Sequence, residues 1–395
     1  MKTVWSDMNG NARTQPEHAW SDCLGNKTNR SASEKYVVGV LPGEGIGPEV
    51  IACAVNVLRA VTEATDIHFE LRYGGPIGRD AEKLCGVPLS SEVIRFFEEI
   101  FEDGGAVLCG PGGGRFVYDL RKNFDLFFKI SPIQVINGVP KASRLHAHAL
   151  DGVDILIARE NRAGLYQGEW NEAIDSLQNR VAMQNLSYSK PQVIRFLDSA
   201  ARLAKHRNSQ LTVVWKESGV PAISKLWKDC AAEVSAEMGI DYAMIDIDLM
   251  AYRLIQDASS FNVIAAPNLF GDVLADLGAV LLGSRGLSYS GNFTSQGHAV
   301  YQTNHGAAYD LAGSDRANPV GQILSLAMML RESFELPHLA VAIENAVRSV
   351  WNDGYCTGDL QIPGGQIIGT EQMGRRIAEC VRQNLQSASL RLTPS

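Results

Sequence analysis

The sequence predicts an α/β protein, long enough for two or more domains, whose ligands gather at the C-terminal ends of strands, with no Rossmann dinucleotide turn. Three observations carry this. Apolar runs of strand length recur along the chain and alternate with amphipathic helical stretches, as in α/β architectures. Chemically distinctive residues stand just past those runs, where open α/β sheets bind ligands. The first glycine turn, Pro42-Gly-Glu-Gly-Ile-Gly47, has glycines at 43, 45 and 47, which is not the Gly-x-Gly-x-x-Gly spacing of a dinucleotide fingerprint.

Order is expected from Tyr36, and Val37-Val-Gly-Val-Leu41 predicts the first strand. Pro48 opens an amphipathic helix carrying Val50, Ile51, Ala54, Val55, Val57 and Leu58. The turn between them reads equally as a tight βα connection or as a ligand contact. Ala106-Val-Leu108 predicts a strand before the glycine-rich Cys109-Gly-Pro-Gly-Gly-Gly114. Val153-Asp-Ile-Leu-Ile157 leads into Arg159-Glu160-Asn161, and Leu211-Thr-Val-Val-Trp215 leads into Lys216. Val263-Ile-Ala-Ala266 precedes a helix that Asn268 is expected to cap.

The chain has 395 residues, 45% apolar and 20% charged, which suits a globular protein long enough for two or more domains. A net charge of −8 gives a nucleic-acid partner no electrostatic support. No apolar run approaches the roughly 20 residues that a membrane helix needs. The seven cysteines, at 23, 53, 85, 109, 230, 356 and 380, form no Cys-x-x-Cys pair. An odd, scattered set reads as reduced thiols in a cytoplasmic protein. Residues 1–35 are polar and lack the apolar stretch of a signal peptide, and Asp7, Glu17, Asp22 and Glu34 argue against a transit peptide. They are expected to form a disordered extension.

The segment Asn268-Leu-Phe-Gly-Asp-Val-Leu-Ala-Asp276 sets Asp272 and Asp276 one helical turn apart, on one face. Two like charges that close repel, and a divalent cation bound through oxygen ligands, Mg²⁺ or Mn²⁺, resolves the repulsion. The plain alternative is two solvated carboxylates on a surface helix. Phe270, Val273, Leu274 and Leu277 argue against it, because they predict a helix with little exposed surface.

Five segments together resemble the β-decarboxylating dehydrogenases of the isocitrate/isopropylmalate dehydrogenase family. They are LPGEGIGPEV (41–50), LRKNFDLF (120–127), ARENRAGLY (158–166), NLFGDVLADLG (268–278) and NHGAAYDLAGSDRANP (304–319). Each alone is a weak pattern; all five in order are specific, and the resemblance runs from about Val37 to the end of the chain. It implies a small-molecule carboxylate substrate, a 2-hydroxy acid with a 3-carboxylate. The substrate is oxidised by NAD and then loses CO₂, with a divalent metal chelated by its oxygens.

The resemblance assigns roles residue by residue. Asp272 and Asp276 match metal-binding positions, and Asp248 matches the third metal carboxylate, which comes from the other subunit. Lys216 matches the lysine that assists deprotonation, also contributed across the dimer, and desolvation after an apolar strand is expected to lower its pKa. Tyr166 matches the acid that protonates the enol. Arg121 and Arg159 match two substrate-carboxylate arginines. Within Asn304–Asp310, His305, Gly306, Ala307 and Asp310, together with Asn318, match the cofactor loop, and the carboxylate of Asp310 favours NAD over NADP by repelling a 2′-phosphate. A homodimer is the smallest active assembly this implies. The implied fold is that of isocitrate/isopropylmalate dehydrogenases, with a first α/β domain at 36–126 plus 283–395, a second at 127–282, and the active site between them.

Four positions depart from the family pattern. Ser131 stands where a third carboxylate-binding arginine is usual, ten residues after Arg121. Lys129 is expected on the same side of an extended strand as a partial replacement, without the bidentate grip of an arginine. Arg115 falls in the segment that reads the substrate's distal group, while Val117 keeps the apolar contact. Trp215 and Ser218 replace a small or polar residue and an asparagine. The leading substrate is 3-isopropylmalate or a malate with another distal group. The alternatives in the family are isocitrate, homoisocitrate, tartrate and a phosphonate-bearing malate. A non-catalytic regulatory paralogue and a metal-dependent lyase without redox chemistry are the readings from other classes.

Overall fold

The computed structural model describes residues 5–6, 12–13, 19–24, 35–135, 143, 145–360 and 362–392. The chain begins its main body with strand β1 (Tyr36–Leu41), helix α1 (Gly47–Ala64), β2 (Phe69–Tyr73), α2 (Gly78–Cys85), α3 (Ser91–Glu102), β3 (Ala106–Cys109), α4 (Phe116–Asn123), β4 (Phe128–Gln134) and β5 (Asp154–Glu160). A separate antiparallel hairpin follows, β6 (Trp170–Ile174) and β7 (Arg180–Gln184). Then come α5 (Lys190–His206), β8 (Leu211–Trp215), α6 (Pro221–Met238), β9 (Tyr242–Asp246), α7 (Ile247–Gln256), β10 (Val263–Ala266) and α8 (Asn268–Leu282). The chain closes with β11 (Tyr289–Phe293), β12 (Ala299–Thr303), α9 (Val320–Glu332), α10 (Pro337–Asn352) and α11 (Thr370–Leu392).

Ten strands form one sheet in the order β9-β8-β10-β5-β4-β11-β12-β3-β1-β2. β9, β8, β10 and β5 pair in parallel, as do β12, β3, β1 and β2. Antiparallel pairs at β5–β4, β4–β11 and β11–β12 join the two sets. This is α/β architecture without Rossmann strand order. The parallel strands are near-continuous apolar runs because helices cover both faces. Phe128 of β4, Phe196 of α5 and Trp227 of α6 stack in succession, with ring centroids 5.5 and 5.6 Å apart, and fill the core beside the β4–β5 pair.

Two expectations change. Part of the expected N-terminal extension is ordered: Trp5–Ser6 pairs with Ala12–Arg13, and a 3₁₀ turn over Trp20–Leu24 packs on α5. Cys23 in that turn is fully buried, and Ser21 donates from its backbone N–H to Glu332 Oε2 at 2.8 Å. Polar composition hides this docking because two residues, Trp20 and Cys23, supply its apolar anchor. The rest of 1–35 lies outside the described residues. Second, Asn268 is the first residue of α8 rather than its cap, which falls at Pro267. The Asn268 side chain is held by distant partners described below.

No helix among the described residues is long and apolar enough to cross a membrane. All seven cysteines are free thiols.

Candidate active site

The site is assembled on β4, β5, the last turn of α4 and the N-terminal half of α8. Arg159, near the end of β5, is 2% exposed. Its guanidinium reaches α8, donating to Asp272, and through Nε and Nη2 to Asn268 Oδ1 at 3.2 and 2.8 Å. Asn268 Nδ2 in turn donates to the Ala163 carbonyl at 2.7 Å. The Asn268 oxygen is therefore taken by an arginine 109 residues away, which is why it does not cap its own helix. Gly271 makes room for this approach, since a Cβ there would lie 2.8 Å from Arg159 Cβ.

Arg121 on α4 and Lys129 on β4 lie in the same cluster, both buried. Burial first, and then the charge of Arg159, push the Arg121 guanidinium down to about 9. Burial, followed by Arg121 and Arg159, holds the Lys129 ammonium well below its ordinary range. Burial raises the Asp272 carboxyl, but Arg159, Lys129 and Arg121 outweigh it, and the net shift is downward. The expected placement of Lys129 beside the arginines is thus what the strand produces. Ser131 faces another group: its hydroxyl donates to Asn304 Oδ1 at 3.3 Å.

Tyr166 sits on a short 3₁₀ turn, Leu165–Gln167, after β5. Glu160 builds the approach to that turn by accepting from the backbone N–H groups of Arg162 at 2.7 Å and Ala163 at 3.0 Å. Burial nevertheless raises the Glu160 carboxyl to about 7. The Tyr166 phenol is pushed up to about 12 by burial, then by the charge of Asp272 and a hydrogen bond to it, so it keeps its proton at neutral pH. Its ring lies beneath the Arg159 guanidinium, 5.5 Å from the centroid. Arg115 donates from Nη2 to the Tyr166 carbonyl at 3.2 Å and stacks over Trp170 at 4.4 Å and Tyr118 at 5.1 Å.

Asp272 and Asp276 do share a face of α8, and Asp276 accepts from Arg285 Nη2 at 2.8 Å. Val273, expected to be covered, is 52% exposed and Val280 is 43% exposed. Lys216 follows β8 and lies 2.7 Å from Asp248 Oδ1 and 3.4 Å from Asp246 Oδ2. The hydrogen bond that Lys216 donates to Asp248 is the main cause of a Lys216 pKa above the ordinary value. The expected lowering is therefore absent within one chain, because the lysine side chain keeps 34% exposure and two carboxylate neighbours. Trp215, Val220, Trp227 and Phe270 line an apolar cavity of about 30 Å³ with Lys216 on its wall.

Among the described residues no three His, Cys, Asp or Glu side chains converge as a metal site, so Asp248 does not join Asp272 and Asp276 within one chain. The donor set fits a hard cation all the same. Asp272 and Asp276 offer oxygen alone, which suits Mg²⁺ or Mn²⁺ completed by water, substrate oxygens and a carboxylate from a second copy.

The loop after β12 packs on the turn between β1 and α1. Ile46 N–H donates to the Ala307 carbonyl at 2.9 Å, and Gly45, at φ +59°, is needed because any Cβ would collide with that carbonyl. Glu44, 2% exposed, ties the turn to Asp80 N–H at 2.8 Å and to Tyr309 Oη at 3.2 Å. Gly306 has open space around it and Asp310 is exposed. The Nε2 of His305 is buried with no protein partner. An exposed carboxylate, open backbone and an orphaned ring nitrogen fit a dinucleotide. Asn318 is engaged locally, accepting from Val320 N–H at 3.0 Å and donating to Asp359 Oδ2 at 3.0 Å.

The sequence reading did not single out Glu160, Glu44 or Asn268 as site-building groups. Each acts on partners far away in sequence or on its own backbone turn, and no residue spacing signals that.

Comparison with known proteins identifies the family. Residues 37–377 match the family described as isocitrate/isopropylmalate dehydrogenase. A 3-isopropylmalate dehydrogenase from Carboxydothermus hydrogenoformans is 36% identical over 365 residues, covering 89% of this chain and 96% of that protein. One from Heyndrickxia coagulans is 34% identical over 359 residues, covering 87% and 96%. The crystal structure of isocitrate dehydrogenase from Methylococcus capsulatus superposes with a TM-score of 0.78 at 28% identity, covering 88% of this chain and all (100%) of that one.

Proposed function

The chain belongs to the isocitrate/isopropylmalate dehydrogenase family, and from that premise we propose that it oxidatively decarboxylates a substituted malate of the 3-isopropylmalate type, with NAD and Mg²⁺ or Mn²⁺. Membership itself carries the coarser statement, a β-decarboxylating hydroxy-acid dehydrogenase. The observation that carries the finer one is the cluster of Arg121, Lys129 and Arg159 buried beside Asp272 and Tyr166.

In this reading Arg121 and Arg159 hold the substrate carboxylates. Lys216 of a second copy takes the proton from the substrate hydroxyl. Once Asp248 is engaged elsewhere, Lys216 loses the carboxylate that raises its pKa, and more of it is present as the free amine able to take a proton. The divalent cation, held by Asp272 and Asp276 with Asp248 from a second copy, supplies Lewis-acid stabilisation of negative charge on the substrate oxygens. His305, Gly306, Ala307, Asp310 and Asn318 would hold NAD, with the Asp310 carboxylate toward a ribose hydroxyl, and the bound cofactor would supply the hydride acceptor. After loss of CO₂, Tyr166 delivers the phenolic proton to the enol carbon. Arg115 retains N–H groups beyond the one given to the Tyr166 carbonyl, and we assign these to the substrate's distal group.

A second copy of the chain is required on this reading, and the surface supports it. Leu249 and Tyr252 of α7 and Val273 and Val280 of α8 are all exposed, as are Trp170 and Ile174 of the β6–β7 hairpin. We divide the chain at the β4–β11 pair into 36–126 with 283–395 and 127–282. Seven free thiols and the absence of a spanning helix among the described residues suit a cytoplasmic compartment.

NADH formation across isopropylmalate, isocitrate, homoisocitrate, tartrate, malate and a phosphonate analogue tests the proposal, with activity lost in EDTA and restored by Mg²⁺ or Mn²⁺. Binding without turnover of any of these would favour a regulatory paralogue. CO₂ release that survives Asp310→Ala without NAD would point to a lyase.

A further inference from the structure

Two buried cations of the candidate site feel the charge of Asp272 but make no direct ion pair with it. Arg121 is 4% exposed and Lys129 3%. Neither side chain makes a hydrogen bond or ion pair among the described residues, whereas Arg159 is already committed to Asp272 and Asn268. Lys129 lies on β4 directly across from Arg159 of β5 and from Asn292 of β11. Ser131, two positions further along β4, is bonded to Asn304 and brings no charge.

We propose that Lys129 is a substrate-binding residue whose ammonium, together with the Arg121 guanidinium, receives one carboxylate of a dianionic 2-hydroxy acid. This rests on the function proposed above and specifies how this chain meets the substrate. A buried cation without a partner is costly in the folded protein, and an anion that enters the cluster removes that cost. The lysine acts as a point charge, so the carboxylate is held without the fixed two-bond geometry that a third arginine would impose. A lysine present only to balance Asp272 and Asp276 would behave differently when its charge is removed.

Lys129→Met keeps the length and the apolar stem. Its thermal midpoint, at fixed protein concentration, should equal or exceed that of the parent, because an unpaired buried charge has gone. The KM for the most active malate should rise about tenfold or more while kcat changes by less than about threefold, since the lost contact serves ground state and transition state alike. Malate binding measured by calorimetry should weaken by a similar factor. Lys129→Gln repeats the test in case the apolar end shifts the strand. An active parent whose KM is unaltered by both substitutions overturns the role of Lys129 and leaves the proposed activity standing. If the parent turns over none of the acids, the activity fails on its own, and calorimetry still decides: equal malate affinity, or no binding by the parent, overturns the assignment. A large fall in thermal midpoint in both variants identifies a structural counter-ion and also overturns it.

Discussion

Asp272→Asn separates the electrostatic role of Asp272 from any role in binding a cation. The carboxylate is the acceptor for Arg159, which is 2% exposed, while the Asp272 side chain itself keeps 42% exposure. Breaking a fully buried pair by removing one partner costs about 3–5 kcal/mol. Exposure of the aspartate screens part of that, so the expected loss at pH 7 is on the order of 2 kcal/mol. The substitution also leaves Arg121, Lys129 and Arg159 facing one another with less negative charge between them. Because the folded-state pKa of Asp272 is depressed, its contribution is present above the ordinary carboxylate pKa and is lost as pH falls through the lower folded value. The gap between parent and variant should therefore be full at pH 7 and should close on acidification below about pH 4. Urea unfolding at fixed protein concentration, repeated over that pH range without metal or substrate, measures the gap. An unchanged midpoint at pH 7, or a gap that persists in acid, refutes the view that Asp272 neutralises the cation cluster.

Arg115→Ala should shift the ratio of kcat/KM for isopropylmalate over isocitrate, and lower kcat for both through the lost hold on the Tyr166 carbonyl; an unchanged ratio removes Arg115 from substrate reading. Glu160→Gln should flatten the pH dependence of stability. The parent Glu160 has a raised folded pKa of about 7, so its contribution is complete below the ordinary carboxylate range and is lost as pH rises through 7. Thermal midpoints of both proteins between pH 5 and 8 test this, and parallel curves contradict it. Tyr252→Arg places a charge on the exposed apolar face of α7 and should yield monomers without activity; sedimentation that shows an intact, active dimer rejects that face as the interface.

The legible parts of the molecule were those governed by local pattern. The runs Leu211–Trp215 and Val263–Ala266 are strands with those bounds because continuous apolar sequence suits a parallel strand buried on both faces. The alternation along β4 placed Lys129 with the arginines for the same kind of reason, a period of two. Failures came where a non-local partner outbid a local preference. Asn268 has the chemistry of a helix cap, but Arg159 takes its oxygen. Lys216 follows an apolar strand, yet Asp248, 32 residues on, sets its protonation. Val273 fits a buried helical face, but no element of a single chain covers it.

Charge balance ties the two incomplete half-sites together. Arg121, Lys129 and Arg159, with Arg285 on Asp276, bring four basic groups against the two carboxylates of Asp272 and Asp276. A divalent cation alone would enter beside an excess of positive charge. A dianionic substrate alone would satisfy Arg121 and Lys129 but would face two carboxylates. Together they add no net charge, so each lowers the electrostatic cost of the other. On the proposed reading the groups from a second copy arrive already paired: Lys216 lies 2.7 Å from Asp248 and 3.4 Å from Asp246, one ammonium between two carboxylates. On that reading the Asp248 carboxylate would turn to the cation, and the Lys216 ammonium would first release its own proton to solvent before serving as the base.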